Sequence, residues 1–278
     1  MIRNATLPIG WYPETPTEMT ESIDRWARGD APAGAGGTEG VAACVAPHAG
    51  WGFSGPLAAQ TIARLDRTAG VVVIAGGHLR PGDAVLVSTA EGQQTPLGVA
   101  ETAGDAAELL RKRFHAEEFS GLDNSTDVLV PMIQHFLPDA SILVCRIPPA
   151  AVAEEVGKVL ASYTEKRGVT MAVVGSTDLT HYGPSFGFTP QGSGDRAREW
   201  VVESNDAGFL EALVGMNAGE AITHALTNQS ACSPGGAAAA LVYARCLGAT
   251  KGYLVGHYTS YDIRPGTTFV GYAGVVFA

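Results

Sequence analysis

The chain predicts a three-layer α/β/α sandwich around a mostly parallel or mixed sheet, and three observations lead there. Residues 41–46, 71–77, 142–147 and 169–175 are short apolar runs without period-2 alternation, the pattern of strands covered on both faces. Stretches of helical length and period separate them, as parallel strands require for their crossovers. Two of the runs stop at a proline or glycine that is followed at once by a histidine, which places polar chemistry at strand ends.

In chain order, Gly10-Trp11-Tyr12-Pro13 precedes a helical pattern over 17–28, and the small, glycine-rich stretch 31–40 reads as a loop. The strand from Val41 must stop at Pro47, which cannot donate to a ladder, leaving His48 just beyond it. Pro56 at a first helical position predicts a helix to about Leu65, returning the chain for strand 71–77 and then His78. Residues 84–88 predict a strand, 105–114 a helix, and 125–136 a second helix opened by the Asp123-Asn-Ser cluster. A helix over 151–166 lies between strands 142–147 and 169–175, and Ser176-Thr-Asp-Leu-Thr-His-Tyr-Gly183 follows the latter. Residues 195–216, 218–226 and 234–247 predict helices, 253–256 a strand, and 269–277 the strand that closes the sheet. No internal repeat or composition break divides residues 1–278, so a single domain is expected.

With 278 residues and 46% hydrophobic content, the chain can bury a sizeable core. A net charge of −10 with only 18 Lys plus Arg argues against nucleic acid or an anionic membrane as partner. The basic run Arg111-Lys112-Arg113 fits the last turn of a helix, where cations complement the dipole. The N-terminal residues have no apolar signal-peptide core, and no apolar run reaches the roughly 18 residues of a spanning helix, so a cytoplasmic location is expected. Cys44, Cys145, Cys232 and Cys246 form no C-x-x-C pair, so neither a structural zinc ribbon nor a disulfide framework is indicated.

Three histidines carry the functional signal. His48, His78 and His181 each lie a few residues beyond an apolar strand, and a parallel sheet would collect them at one edge. Two imidazoles and an anionic ligand suit an open-sided Fe, Cu or Zn site. Cys232 can supply the anion: with Ser233 as N-cap and Pro234 at the first helical position, it stands beside a helix N-terminus that favours thiolate. It reads equally as a small packing residue, as Cys44 and Cys145 do inside their strands. Asp178 either orients an imidazole, that of His181 being three residues on, or caps a following helix. His257 also follows an apolar run, whereas His115, His135 and His224 fall in helical patterns and read as surface or interhelical residues.

Pro47-His-Ala-Gly-Trp-Gly-Phe-Ser-Gly55, Gly76-Gly-His78, Ser176-Thr-Asp-Leu-Thr-His-Tyr-Gly183 and Cys232 resemble the Memo family, protein B of the AmmeMemoRadiSam group. Gly10-Trp11-Tyr12, Thr95-Pro-Leu97 and His257-Tyr-Thr-Ser260 match in place and order, so the resemblance covers nearly the whole chain. It implies a fold related to the class III extradiol dioxygenases, with His48, His78 and Cys232 as ligands of non-haem Fe(II), or of Cu or Zn. It further implies His181 in the place of the catalytic acid/base, supported by Asp178, and radical-SAM and AMMECR-type proteins as partners. The sequence departs from the family where Gly76-Gly77 replaces Pro-Ser, Trp51 replaces Tyr, Ser233-Pro-Gly-Gly follows Cys232, and Asp123-Asn124-Ser125 replaces Glu-His-Ser. The expected function is an iron- or copper-dependent oxidoreductase acting on a small oxygen-rich or aromatic substrate. The alternatives are a non-catalytic metal or redox protein working through partners, and a zinc hydrolase.

Overall fold

The computed structural model describes residues 1–4, 7–29, 38–119 and 123–278, so most of the expected 31–40 loop lies outside the described residues. The main sheet contains β1 (Ala43–Ala46), β2 (Val71–Gly76), β3 (Leu86–Val87), β4 (Glu117–Glu118), β5 (Ser141–Arg146), β6 (Met171–Ser176), β7 (His181–Tyr182), β8 (Gly252–Thr259) and β9 (Phe269–Phe277). Its order is β7-β9-β1-β6-β2-β5-β3-β4, with β8 paired to β9. The central strands β1, β6, β2 and β5 are parallel, while β9 runs antiparallel to β1 and β3 antiparallel to β5. The sheet is therefore mixed, with a parallel heart made of the four apolar runs.

Their lack of alternation has a direct cause, because both faces of the sheet are covered. Val72 and Ile74 of β2 pack into one apolar cluster with Met19, Ile62 and Ile133, whereas Val73 and Ala75 pack into the other with Leu110, Leu160 and Leu241. On the first face lie α1 (Pro16–Ala27) and α2 (Trp51–Ile62). The second carries α3 (Gly104–Phe114). After the short α4 (Asn124–Asp127), α5 (Val130–Phe136) joins the first face and α6 (Ala151–Arg167) the second. Past α7 (Asp195–Trp200), the helices α8 (Asp206–Val214), α9 (Ala218–Asn228) and α10 (Pro234–Cys246) complete the second layer. Each fully buried Val, Leu or Ile stabilises the fold by about 1.5–3 kcal/mol relative to exposure. No helix among the described residues is long and apolar enough to cross a membrane.

Several element boundaries differ from the sequence expectation for identifiable reasons. Helix α2 starts at Trp51 and contains Pro56, because the Trp51 amide is already bound by the Trp11 carbonyl at 2.8 Å and its buried indole donates to the Val128 carbonyl at 3.0 Å. The expected helix 125–136 is two helices, since Pro131 has no N–H to continue the ladder of α4. A π-helical turn, Val201–Asn205, joins α7 to α8, so the expected long helix 195–216 changes register in its middle. The expected strand 84–88 shrinks to β3, and 253–256 extends into β8, so that His257 lies inside a strand rather than beyond one.

The first turn of α10 sits directly on the ends of β2 and β5, and two glycines permit it. A Cβ on Gly236 would collide with the Ala75 carbonyl, and one on Gly235 with the Ile147 carbonyl, both backbone atoms that cannot swing away. This close approach carries the residues before α10 onto the sheet edge. Gly236→Ala is therefore expected to lower stability by about 1–3 kcal/mol, read as the urea midpoint. Gly104→Ala, where the added methyl meets open space at the start of α3, is expected to be neutral or stabilising. Equal stability of the two variants would contradict the close contact.

Candidate metal centre

Pro47 ends β1, and His48, fully buried, turns over the C-terminal edge of the sheet. Its backbone amide donates to Asp178 Oδ1 at 2.7 Å, and its Nδ1 lies 3.0 Å from the hydroxyl of Ser176, the last residue of β6. With Nδ1–H donating to Ser176, Nε2 keeps its lone pair free. Burial, and then the neighbouring His78, push the His48 pKa down to about 3, so the ring is the neutral imidazole that a metal requires.

His78 follows β2 and packs edge to face on His48, with ring centroids 5.2 Å apart at 87°. Gly77 before it has φ +103°, and the place of its missing Cβ is occupied by Arg146, which explains a glycine here. Its amide donates to the Ser125 hydroxyl at 2.8 Å, locking the turn. Asp123 stands 3.8 Å from His78 Nδ1, accepts from the Ser125 amide, and pairs with the Arg146 Nε at 2.6 Å. His78 itself is 42% exposed, so the site opens to solvent on its side.

Cys232 approaches from α10. Its amide donates to the Asp178 carbonyl at 3.1 Å, and its Sγ lies 3.3 Å from His48 Nε2. The next amide, Ser233, donates to the Thr177 hydroxyl at 3.0 Å. One ligand atom each from His48, His78 and Cys232 falls within 4.8 Å of the others. The donor set fits a single transition metal: two imidazoles, one with its second nitrogen on the Ser176 hydroxyl and the other with its Nδ1 toward the Asp123 carboxylate, plus one sulfur. These residues could hold Fe, Cu or Zn.

Two expectations are corrected. The helix start does not dominate Cys232: burial, and then the negative charge of Asp178, push its thiol up to about 12 in the metal-free site. A bound metal must displace that proton. Nor does Asp178 orient the His181 ring. No hydrogen bond joins them. Its side chain accepts instead from the amides of His48 and Ala49, and burial, opposed mainly by the nearby His181, raises its pKa to about 6. His181 Nε2 is buried with no hydrogen-bond partner, and burial lowers the ring's pKa. The ring rests against Phe186, with centroids 4.7 Å apart, and lines the same cleft as Cys232.

The remaining histidines are engaged elsewhere. His257 Nε2 is 3.0 Å from Asp206 Oδ2, and the fully buried Asp206 also accepts from the Thr180 amide at 3.1 Å. His135 meets Asp24 at 2.8 Å, His224 meets the Ser230 hydroxyl at 2.8 Å, and His115 ends α3 in a left-handed conformation. Sequence reasoning missed Ser176, Thr177, the Asp123–Arg146 pair and the Asp206–His257 pair. An arginine ending the apolar strand β5 was the one available signal for the Asp123–Arg146 pair.

Brief alkylation of metal-free protein should label Cys246 before Cys232, because Cys246 is exposed whereas Cys232 is half-buried with a raised pKa. Peptide mapping that found Cys232 labelled first would restore the helix-end argument.

A family model described as Memo-like protein matches residues 3–276. A MEMO1 family protein of Thermococcus kodakarensis is 30% identical, the match covering 85% of this chain and 87% of the relative. A MEMO1 family protein of Methanopyrus kandleri is also 30% identical over 100% of this chain and 99% of its own length. One from Nitrosopumilus maritimus is 28% identical with 100% of both chains covered. With the His48, His78 and Cys232 group at its sheet edge, this chain belongs to the Memo-like family.

Proposed function

We propose that the chain is a non-haem iron-dependent oxidoreductase, with copper as the alternative metal, acting on a small oxygen-rich or aromatic substrate. The observation that carries this reading is a buried, unpartnered imidazole nitrogen, His181 Nε2, on a ring that shares a cleft with the sulfur of the His48, His78 and Cys232 group. An iron held by these three residues would supply redox chemistry and Lewis acidity toward dioxygen and a substrate hydroxyl.

The chain's own residues supply the rest. Ser176 holds the His48 imidazole by its Nδ1 side, so that its Nε2 is presented toward Cys232, while the Asp123 carboxylate stands 3.8 Å from His78 Nδ1. His181, neutral because burial lowers its pKa, can accept a substrate proton at Nε2 and return it later. Asp178 keeps negative charge near that ring and stabilises it once protonated, while its hydrogen bonds to the His48 and Ala49 amides hold the strand end in place. Leu179, buried beside it, and Phe186, against the ring, give His181 an apolar flank.

His48→Ala or His78→Ala should abolish stoichiometric iron binding while leaving the circular dichroism spectrum intact, since neither ring is part of an apolar core. Full metal content in both variants would refute the site. His181→Ala should keep the metal and lose substrate-dependent oxygen uptake by about 10²–10⁴-fold, measured anaerobically loaded with Fe(II) against a panel of catechols and enediols. Wild type that consumes no oxygen across the panel, or that carries zinc after purification without chelator, would favour the non-catalytic or hydrolytic alternative.

A further inference from the structure

The cleft in front of Cys232 and His181 has a volume of about 550 Å³, within the range of sites that enclose a one- or two-ring molecule. Its walls are mostly apolar. Phe186 and Leu226, 43% and 47% exposed, stand at the rim, and Leu79 lines the wall. Phe186 is also held against the His181 ring, so an aromatic face and a proton-accepting nitrogen are presented together.

One charged side chain lines this cleft. Arg80, two residues beyond His78, is exposed, and its guanidinium forms no ion pair within 4 Å among the described residues. The nearby Asp83 carboxylate is used differently, accepting from the Arg80 backbone amide at 2.6 Å. In a chain of net charge −10, a lone guanidinium facing an apolar cleft selects for an anion carried on an apolar body.

We propose that the substrate is an aromatic monocarboxylate whose ring lies against Phe186 and Leu226 and whose carboxylate pairs with Arg80. This rests on the reading of the site as the place where a substrate meets the metal, and adds to it the substrate's charge and the residue that reads it. The carboxylate end is thereby kept at Arg80, away from the negative charge of Asp178, and the opposite edge of the ring is turned toward His181 and Cys232.

Isothermal titration with benzoate and with benzyl alcohol, its uncharged counterpart, tests this on metal-free and on zinc-loaded protein, where no oxygen chemistry intervenes. Benzoate should bind more tightly than benzyl alcohol in both forms. Arg80→Gln should weaken benzoate roughly tenfold and leave benzyl alcohol unchanged, while Phe186→Ala should weaken both. The proposal is overturned if benzoate binds no better than the alcohol, if neither probe binds, or if Arg80→Gln leaves benzoate unaffected. Benzoate binding that requires zinc and ignores Arg80 would show simple coordination by the metal and would also overturn it. None of these outcomes depends on oxygen uptake, so a failure here is separable from a failure of the oxidoreductase reading.

Discussion

Asp178 is the tie on which the site's geometry depends. Its carboxylate accepts from the amides of His48 and Ala49 just beyond β1, and its carbonyl accepts from the amide of Cys232 just before α10. It follows β6 by two residues and precedes His181 by three. A single buried residue therefore connects both strand ends, the start of α10 and the proton-accepting histidine. Burying the carboxylate is unfavourable, which is why its pKa rises to about 6, but without it the two buried amides would lack partners at a cost of about 1–3 kcal/mol each.

The rest of the frame serves this junction. The parallel register of β1, β6 and β2 brings His48, Thr177 and His78 to the same edge, and the glycine pair at the start of α10 lets Cys232 descend onto it. A second buried carboxylate, Asp206, holds the far side of the 178–181 segment through Thr180 and is itself met by His257. The π-helical turn before Asp206 serves this end, because it brings Asn205 and Asp206 together onto Thr180, with Asn205 donating to the Thr180 hydroxyl at 2.8 Å.

Local pattern disclosed the parts of this arrangement that depend on local physics. Unalternating apolar runs mark strands buried on both faces, and a proline or glycine at the strand end marks where the chain turns, so His48, His78 and His181 could be placed on one edge. The position of Cys232 beside a helix start was equally readable. Its acidity was not, because burial and Asp178 oppose the helix end, and both act through the tertiary structure. The partners Ser176, Asp123 with Arg146, and Asp206 with His257 join residues between 23 and 128 positions apart, as the pairs Asp123–Arg146 and His48–Ser176 show. No periodicity records such pairings. The π turn was hidden as well, and the contacts of Asn205 and Asp206 at its end reach back to Thr180, some 25 positions earlier.

One metal held jointly by two imidazoles and by the Cys232 sulfur, which keeps its proton until the metal arrives, is what the site is built for. Anaerobic titration of metal-free protein with Co(II) tests it most directly. The account predicts a thiolate-to-cobalt charge-transfer band in the near ultraviolet that saturates at one equivalent, with release of a proton, and that disappears in Cys232→Ser. Saturation without that band, or a band that survives loss of the Cys232 sulfur, would contradict it.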